Sequence, residues 1–309
     1  MPKKILLAVF ALMMCLAALE WNERQEPPSR WQRVSDFETV DGVHVWESKD
    51  QVAGQVKSAE CAETSGADIV IAGDSILYGV MLDPESTLGP VLSRTVKRAD
   101  GTAACAVNVS VPGFTFESEM AVIKRDWDLL HPEIVVLEVW HNSSHSLIDL
   151  GGNLFNFGNL VVDANGVPNP MGVPSGVNRL MFVHSALWRR LVEGSSVGMK
   201  SSRPGWERLA KEMSAFNDWL NARDASLMLV FATRLKDPWS AGRERERTMY
   251  ESVSSWAEGA GVPTLWFDQV LSSTPVEDVR LDTCCHLNET GMALVADALT
   301  QRLSPQASE

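Results

Sequence analysis

The apolar and polar positions of this chain follow two patterns: one continuous apolar run near the start and, from residue 67 onward, short apolar segments that alternate with amphipathic ones. The short segments predict strands, at 68–73, 105–110, 133–139, 226–232 and 264–267. The amphipathic segments predict helices, at 87–98, 116–130, 176–193, 204–223, 242–259 and 289–303. Short apolar strands separated by helices favour a parallel sheet that is covered on both faces. The sequence therefore predicts a three-layer, doubly wound α/β fold with a five-stranded parallel sheet.

The apolar run at the start is a candidate export segment. Lys3 and Lys4 precede an uncharged apolar stretch over residues 5–19, and Glu20 ends it. This stretch is shorter than the roughly 20 residues that a bilayer-spanning helix needs. It is typical of a signal peptide at 1–19, and the alternative is an uncleaved membrane tether through residues 5–19. Either way we expect an exported protein that is periplasmic, secreted or anchored to the outer face of the cytoplasmic membrane.

The remaining chain divides by composition. Residues 20–65 predict a linker and a short N-terminal extension, with a hairpin around Asp41-Gly42; residues 66–303 form the main domain, and 304–309 a tail. The segment 143–175 is rich in Gly, Asn and Pro and interrupts the alternation, with a hairpin expected at 161–167. It follows the third strand, at the sheet edge where open α/β sheets place their sites. Such a long loop is usually functional or disordered.

The charge of the chain bears on its partners, and its cysteine content bears on its disulfides. The chain has 309 residues, with 40 acidic against 27 basic ones and a net charge of -13. Because no basic tract stands out, we expect no nucleic-acid partner. Beyond the N-terminal segment, Cys61, Cys105, Cys284 and Cys285 allow three disulfide pairings. Cys61 and Cys105 can pair if their strands are neighbours, while the adjacent Cys284 and Cys285 form either a vicinal bridge or two reduced, buried thiols.

Two short blocks follow the first and second strands. Gly73-Asp74-Ser75 places a serine at the carboxyl edge of the sheet, where the start of a helical turn favours a developing negative charge. An ordinary helix N-cap explains the same three residues. After the second strand, Gly113 ends a short loop and offers a backbone N–H to an oxyanion, although a plain turn also accounts for it.

Two further blocks follow the third strand and precede the last helix. Asn142 carries two side-chain donors that suit an oxyanion site, and Trp140 and His141 beside it are candidates for the substrate pocket. His286, with Asp282 before it, is a candidate general base with its orienting carboxylate. The alternative is a helix-capping segment that contains an incidental histidine. The histidines after the third strand do not indicate a metal site.

The four blocks in this order resemble the SGNH/GDSL hydrolase family, and the resemblance covers roughly residues 66–303. It implies the SGNH hydrolase fold, a flavodoxin-like sheet, with Ser75 as nucleophile and His286 as general base. It further implies that the backbone N–H groups of Ser75 and Gly113 and the side chain of Asn142 form an oxyanion hole. The resemblance requires no metal and no organic cofactor.

The chain departs from the family pattern in two places. The third block usually reads Gly-x-Asn-Asp, but Trp140 and Ser143 occupy the outer positions. A bulky Trp140 there favours a small acyl group such as acetyl. In the last block the aspartate usually precedes the histidine by three residues, whereas Asp282 is four residues before His286. We expect Asp282 still to reach His286 through a bulged loop; otherwise Ser75 and His286 act as a dyad, or Asp278 substitutes.

Together these features predict an extracytoplasmic serine esterase that uses an acyl-serine intermediate. The expected substrate is a small-molecule or polysaccharide ester, with the acyl group on a carbohydrate. Two alternatives remain open: a polysaccharide O-acyltransferase that uses the same Ser-His site, and a non-catalytic carbohydrate-binding protein on the same fold.

Overall fold

The protein is described by a computed structural model. The described residues are 3–25, 32–34, 38–40, 43–45, 56–57, 61, 66–112, 114–140, 147–149, 154–156, 160–162, 168–170, 177–188, 191, 206–235 and 247–304. The strands are β1 Gln32–Val34, β2 Glu38–Val40, β3 Val43–Val45, β4 Val56–Lys57, β5 Ile69–Ala72, β6 Ala106–Asn108, β7 Ile134–Val139, β8 Leu147–Asp149, β9 Leu154–Asn156, β10 Leu160–Val162, β11 Pro168–Pro170, β12 Ser226–Phe231 and β13 Thr264–Trp266. The helices are α1 Lys3–Gln25, α2 Ser75–Tyr78, α3 Leu88–Thr95, α4 Phe116–Arg125, α5 Trp127–Leu130, α6 Val177–His184, α7 Trp206–Asn221, α8 Arg247–Ala260, α9 Phe267–Leu271, α10 Val276–Val279 and α11 Glu289–Leu303, with a 3₁₀ turn at Pro84–Ser86.

The main sheet has the strand order β13-β12-β7-β5-β6-β4. The pairs among β13, β12, β7, β5 and β6 are all parallel, and only the short edge strand β4 runs antiparallel, against β6. This confirms the predicted five-stranded parallel sheet with flavodoxin-like order and adds one edge strand that the sequence did not predict. The chain leaves β5 towards β6 and then returns to β7 on the other side of β5. The carboxyl ends of the neighbouring strands β5 and β7 therefore mark the switch point, where open α/β sheets place their sites.

Alternate side chains of the strands enter two separate cores, one on each face of the sheet. Val70, Val135 and Leu137 face the core that α4, α7 and α8 complete. Ile71 and Val136, at neighbouring positions in the same strands, face the core that α3 and α11 complete. Because both faces are buried, these strands are almost continuously apolar rather than alternating, with Glu138 of β7 as the exception.

The compact unit that holds this sheet comprises residues 36–144 and 206–309. It also contains the predicted hairpin around Asp41-Gly42, seen as the antiparallel strands β2 and β3, which pack against α4. Disulfides join Cys61 to Cys105 and Cys284 to Cys285, which selects one of the three pairings left open by the sequence.

A second compact unit comprises residues 1–35 and 145–205. The sequence predicts one domain over residues 66–303, a range that includes 145–205. The unit contains the antiparallel sheet β1-β9-β8 and the two-stranded β10-β11 sheet, the latter at the predicted hairpin. In the part of the chain described here, no helix combines the length and the apolar character that crossing a membrane requires.

Within this second unit, Glu20 of α1 binds the start of a helical turn. Its carboxylate accepts hydrogen bonds from the Ser185 hydroxyl at 2.7 Å and from the N–H groups of Ala186 and Leu187 at 2.8 and 3.0 Å. Partial burial alone would raise the pKa of Glu20, but these bonds and one from Arg24 lower it to about 2. The residue that ends the apolar run is therefore also an anchor for a distant segment.

Candidate active site

The turn between β5 and α2 presents Ser75 at the carboxyl edge of the sheet. Gly73 is required there because a Cβ at this position would collide with the carboxyl group of Glu138 and lie 3.0 Å from the Cβ of Leu77. The N-cap of α2 is Asp74, whose side chain accepts the N–H of Ile76 at 2.9 Å. Since Asp74 caps the helix, the Ser75 hydroxyl remains available for another partner.

That partner is His286, which joins Ser75 to Asp282. The Oγ of Ser75 lies 2.9 Å from Nε2 of His286, and Nδ1 of His286 lies 2.6 Å from Oδ2 of Asp282. When Nδ1–H donates to the carboxylate, Nε2 is free to accept the serine proton. The structure thus brings three of the predicted residues into the arrangement of a nucleophile, a base and an orienting carboxylate.

The other oxygen of Asp282 folds the loop. Its Oδ1 accepts the N–H groups of Cys284, Cys285 and His286 at 2.9, 3.0 and 3.3 Å. This turn absorbs the extra residue between aspartate and histidine, so the unusual spacing still places the carboxylate on the imidazole. Asp278, the alternative partner, lies in α10 and does not make the bond to Nδ1.

These contacts keep Asp282 ionised. Partial burial alone would raise its pKa, but the hydrogen bonds from the His286 ring and from the N–H groups of Cys285, Cys284 and His286 lower it to about 2. An ionised carboxylate stabilises the imidazolium that forms when a histidine takes up a proton.

The loop that carries His286 is fastened at both ends. Leu281 donates its N–H to the carbonyl of His286 at 2.8 Å, and Arg280 bridges to Leu287. Asn288 caps α11 by accepting the N–H of Gly291 at 3.0 Å. His286 is therefore held between a β-bridge and a capped helix.

Buried carboxyl groups cluster at the nucleophile turn. Asp74 and Glu119 are each 1% exposed and Glu138 is fully buried. Burial raises the pKa of Glu138 well above its ordinary value, and the charges of Asp74 and Glu119 raise it further, against two backbone N–H donors that lower it. Burial, and then the charge of Asp74, also raise the pKa of Glu119. Glu138 has no role predicted from the sequence, although a charged residue inside an apolar strand is a visible signal.

Asn108, at the end of β6, begins the block that leads to Gly113 and has no role predicted from the sequence. Its Nδ2 donates to the carbonyl of Leu77 at 2.8 Å, and its Oδ1 accepts the N–H of Ser110 at 3.0 Å. The next residue along, Val111, donates its N–H to the carbonyl of Gly73 at 3.1 Å. The segment that follows β6 is thereby bound to both ends of the nucleophile turn.

Of the other predicted site residues, the structure describes only Trp140. Gly113, His141 and Asn142 lie outside the described residues. Trp140 is described and is 1% exposed, within the core beside β7, with the guanidinium of Arg234 5.5 Å from its ring centre. Its ring is therefore enclosed by protein, which is the arrangement of a core tryptophan rather than of an exposed platform for a sugar.

Comparison with known proteins gives likenesses among solved structures alone. No family model matches the sequence, and no curated protein matches it. An α/β hydrolase from the metagenome of Lake Arreo matches with a TM-score of 0.49 and 16% identity, over 78% of this chain and 98% of that one. The esterase EstA of Pseudoalteromonas sp. matches at 0.46 and 13%, over 75% and 94%. A member of the lipolytic protein G-D-S-L family from Veillonella parvula matches at 0.44 and 11%, over 75% and 96%.

Proposed function

We propose that the protein is an SGNH/GDSL-type serine hydrolase that cleaves carboxylic esters through an acyl-serine intermediate. The observation that carries this proposal is the hydrogen-bonded chain from Ser75 through His286 to Asp282. It lies where β5 ends, at the switch point of a flavodoxin-like sheet. A nucleophile, a base and an orienting group within hydrogen-bond reach are the signature of nucleophilic catalysis.

The reaction proceeds in two stages. His286 Nε2 takes the proton of Ser75 as Oγ attacks the ester carbonyl, and the resulting imidazolium donates that proton to the departing alcohol. Water then attacks the acyl-serine with His286 again as base, and the carboxylic acid is released with Ser75 regenerated. Asp282 stays ionised throughout and holds the imidazole in place.

The tetrahedral oxyanion requires donors at the same edge. The N–H groups of Asp74, Ile76 and Leu77 all donate to carboxylate oxygens, whereas that of Ser75 has no acceptor among the described residues. Ser75 therefore has an available donor for the oxyanion. We propose that the N–H of Gly113 and the side chain of Asn142 supply the other two.

Active-site labelling tests this function. A fluorophosphonate probe should label the wild-type protein but not Ser75→Ala, and only the wild type should hydrolyse p-nitrophenyl acetate. Ser272→Ala is a matched control, because its exposed hydroxyl bonds only a nearby carbonyl in the described part of the chain. Absence of both labelling and hydrolysis in the folded wild type would sink the proposal and favour the non-catalytic alternative.

The substrate is proposed to carry a small acyl group on a carbohydrate. The support for the small acyl group comes from the sequence pattern: Trp140 follows β7 where the family has glycine, and its buried ring fills space there that a glycine would leave open. We expect kcat/KM to fall steadily from two-carbon to eight-carbon p-nitrophenyl esters. Acetylated polysaccharide should release acetate, and product analysis with and without a sugar acceptor separates hydrolysis from acyl transfer.

Export is proposed from the apolar run behind Lys3 and Lys4. Two disulfides in the fold support it, since such bonds persist in oxidising compartments. Alkaline phosphatase fused to the C-terminus should be active in a bacterial host, and deletion of residues 1–19 should abolish that activity. The mass of the recovered protein then distinguishes a cleaved signal from a retained tether.

A further inference from the structure

We propose that Glu138 is a positioning residue for the nucleophile: its carboxyl group holds the backbone on both sides of Ser75. The inference rests on the proposed serine-hydrolase function and extends it to a residue that touches neither the substrate nor the reacting atoms. Three observations support it: the contacts of Glu138, the space that Gly73 leaves for it, and the charge of its surroundings.

The contacts straddle the nucleophile. Oε2 of Glu138 accepts the N–H of Asp74 at 2.8 Å and the N–H of Leu77 at 3.4 Å. Asp74 precedes Ser75 and Leu77 follows it by two residues, so one oxygen fixes both flanks of the turn. With the Asp74 side chain on the N–H of Ile76, only the N–H of Ser75 is left without an acceptor among the described residues.

The strand pairing delivers this carboxyl group to the turn. β7 lies beside β5 in parallel register, with Leu137 opposite Ala72. Gly73 comes directly after Ala72, and Glu138 comes directly after Leu137. A side chain at Gly73 would therefore occupy the place of the Glu138 carboxyl. The glycine that permits the tight turn therefore also admits the group that holds it.

The surroundings favour the neutral carboxyl. Glu138 is fully buried, and the groups that raise its pKa include two further buried carboxyl groups, those of Asp74 and Glu119. Its second oxygen, Oε1, is buried and has no hydrogen-bond partner within the described ranges, so no donor there stabilises a negative charge. A neutral acceptor holds two N–H groups without placing a full negative charge beneath a developing oxyanion, where such a charge would oppose catalysis.

Two substitutions test the role. Glu138→Gln keeps a neutral side chain with a carbonyl acceptor, so kcat should stay within about 3-fold of wild type. Glu138→Leu removes the acceptor, and a nucleophile displaced by even a fraction of an ångström should lower kcat by about 10- to 100-fold with KM almost unchanged. If Glu138→Leu does not fold, Glu138→Asp replaces it, because a side chain one methylene shorter withdraws the acceptor from both N–H groups.

The matched control is Glu119→Leu, which removes an equally buried carboxyl from the same cluster with no bond to the turn among the described contacts. Its kcat should stay within about 3-fold of that of the wild type, because burial, the largest cause of the raised Glu138 pKa, is unchanged. Equal kcat in Glu138→Leu and wild type, or equal losses in Glu138→Gln and Glu138→Leu, would overturn the proposal.

Hydrogen exchange separates this inference from the proposed function. In the full-length protein, exchange across residues 74–77 should accelerate in Glu138→Leu and stay at the wild-type rate in Glu138→Gln. If the wild type neither turns over nor labels at Ser75, the hydrolase proposal fails, and the positioning of a nucleophile fails with it. If the wild type is active and exchange at 74–77 is the same in all three proteins, the Glu138 proposal alone fails.

Discussion

At the scale of single residues, Asp282 divides two tasks between its oxygens. Oδ1 gathers three backbone N–H groups of the loop, and Oδ2 bonds the imidazole of His286. The carboxylate thus stabilises the conformation of its own loop and also orients the catalytic base. A one-residue change in spacing is tolerated because the loop is built around that carboxylate.

Asp282→Asn should lower kcat by about 100-fold or more and leave KM nearly constant, because an amide cannot stabilise the imidazolium and can present the wrong tautomer. Steady-state kinetics with p-nitrophenyl acetate measures this. Asp278→Asn serves as the control and should remain fully active. Equal losses in the two variants would contradict the assignment of Asp282.

Acid should weaken the same contact. The folded-state pKa of Asp282, about 2, lies below its ordinary value of 3.8. The stabilisation that depends on its charge is therefore complete above pH 4 and disappears as the pH falls through 2. Melting temperatures of wild type and Asp282→Asn, measured from pH 6 to pH 2, should converge at the acid end. A difference that is constant with pH would refute this. The effect is modest, since the Asp282 side chain is 41% exposed.

At the scale of elements, the junction of β5 and α2 is built from contacts that are distant in sequence. Glu138 of β7 and Asn108 of β6 both bond its backbone. Sequence patterns predicted the strand, the tight turn and Ser75, since these depend on local residue choice. They did not reveal which groups from neighbouring strands fill the space at the turn, because that depends on sheet order and register.

Gly73→Ala should impair both stability and activity. The added methyl group meets the Glu138 carboxyl, which is enclosed by the core and has nowhere to move. We expect a loss of about 1–3 kcal/mol in the free energy of unfolding, typical of overpacking, together with a lower kcat. Urea unfolding and initial rates measure the two effects. Gly101→Ala is a contrasting variant: its Cβ would meet nothing within 4 Å, and its cost should come from backbone strain at φ +82 alone, with kcat unchanged.

The limits of sequence prediction are clearest in the second compact unit. The hairpin at β10-β11 was expected from its turn residues, but the β1-β9-β8 sheet was not. Its strands are only three residues each, and β1 comes from a stretch that the composition marked as linker. Strands this short carry too little periodicity to be recognised before their partners are known.

At the scale of the whole molecule, the parallel order of β6, β5, β7, β12 and β13 determines where the site forms. The helices predicted from periodicity match α3, α7, α8 and α11 to within a few residues. They were recognisable because a helix that covers one face of the sheet must have an apolar side towards it and a polar side towards solvent. The edge strand β4 escaped prediction, since two residues provide no pattern.

The two disulfides should contribute unequally to global stability. Cys61–Cys105 spans 44 residues, whereas Cys284–Cys285 spans one. Since a cross-link restricts the unfolded chain more when the loop is longer, replacing Cys61 and Cys105 with serine should cost about 2–4 kcal/mol. The double serine variant at Cys284 and Cys285 should cost much less. Chemical denaturation of both variants decides this, and equal costs would contradict the chain-entropy argument.

The longer disulfide also makes the nucleophile part of a covalent ring. Ser75 lies between Cys61 and Cys105, and so does Met81, which is 85% exposed. A single protease cut at this exposed point leaves the chain as one molecule on a non-reducing gel. Thiol treatment then releases the N-terminal piece, and any probe attached to Ser75 leaves with it. A labelled serine can be located in this way from the migration of one band, without sequencing the protein.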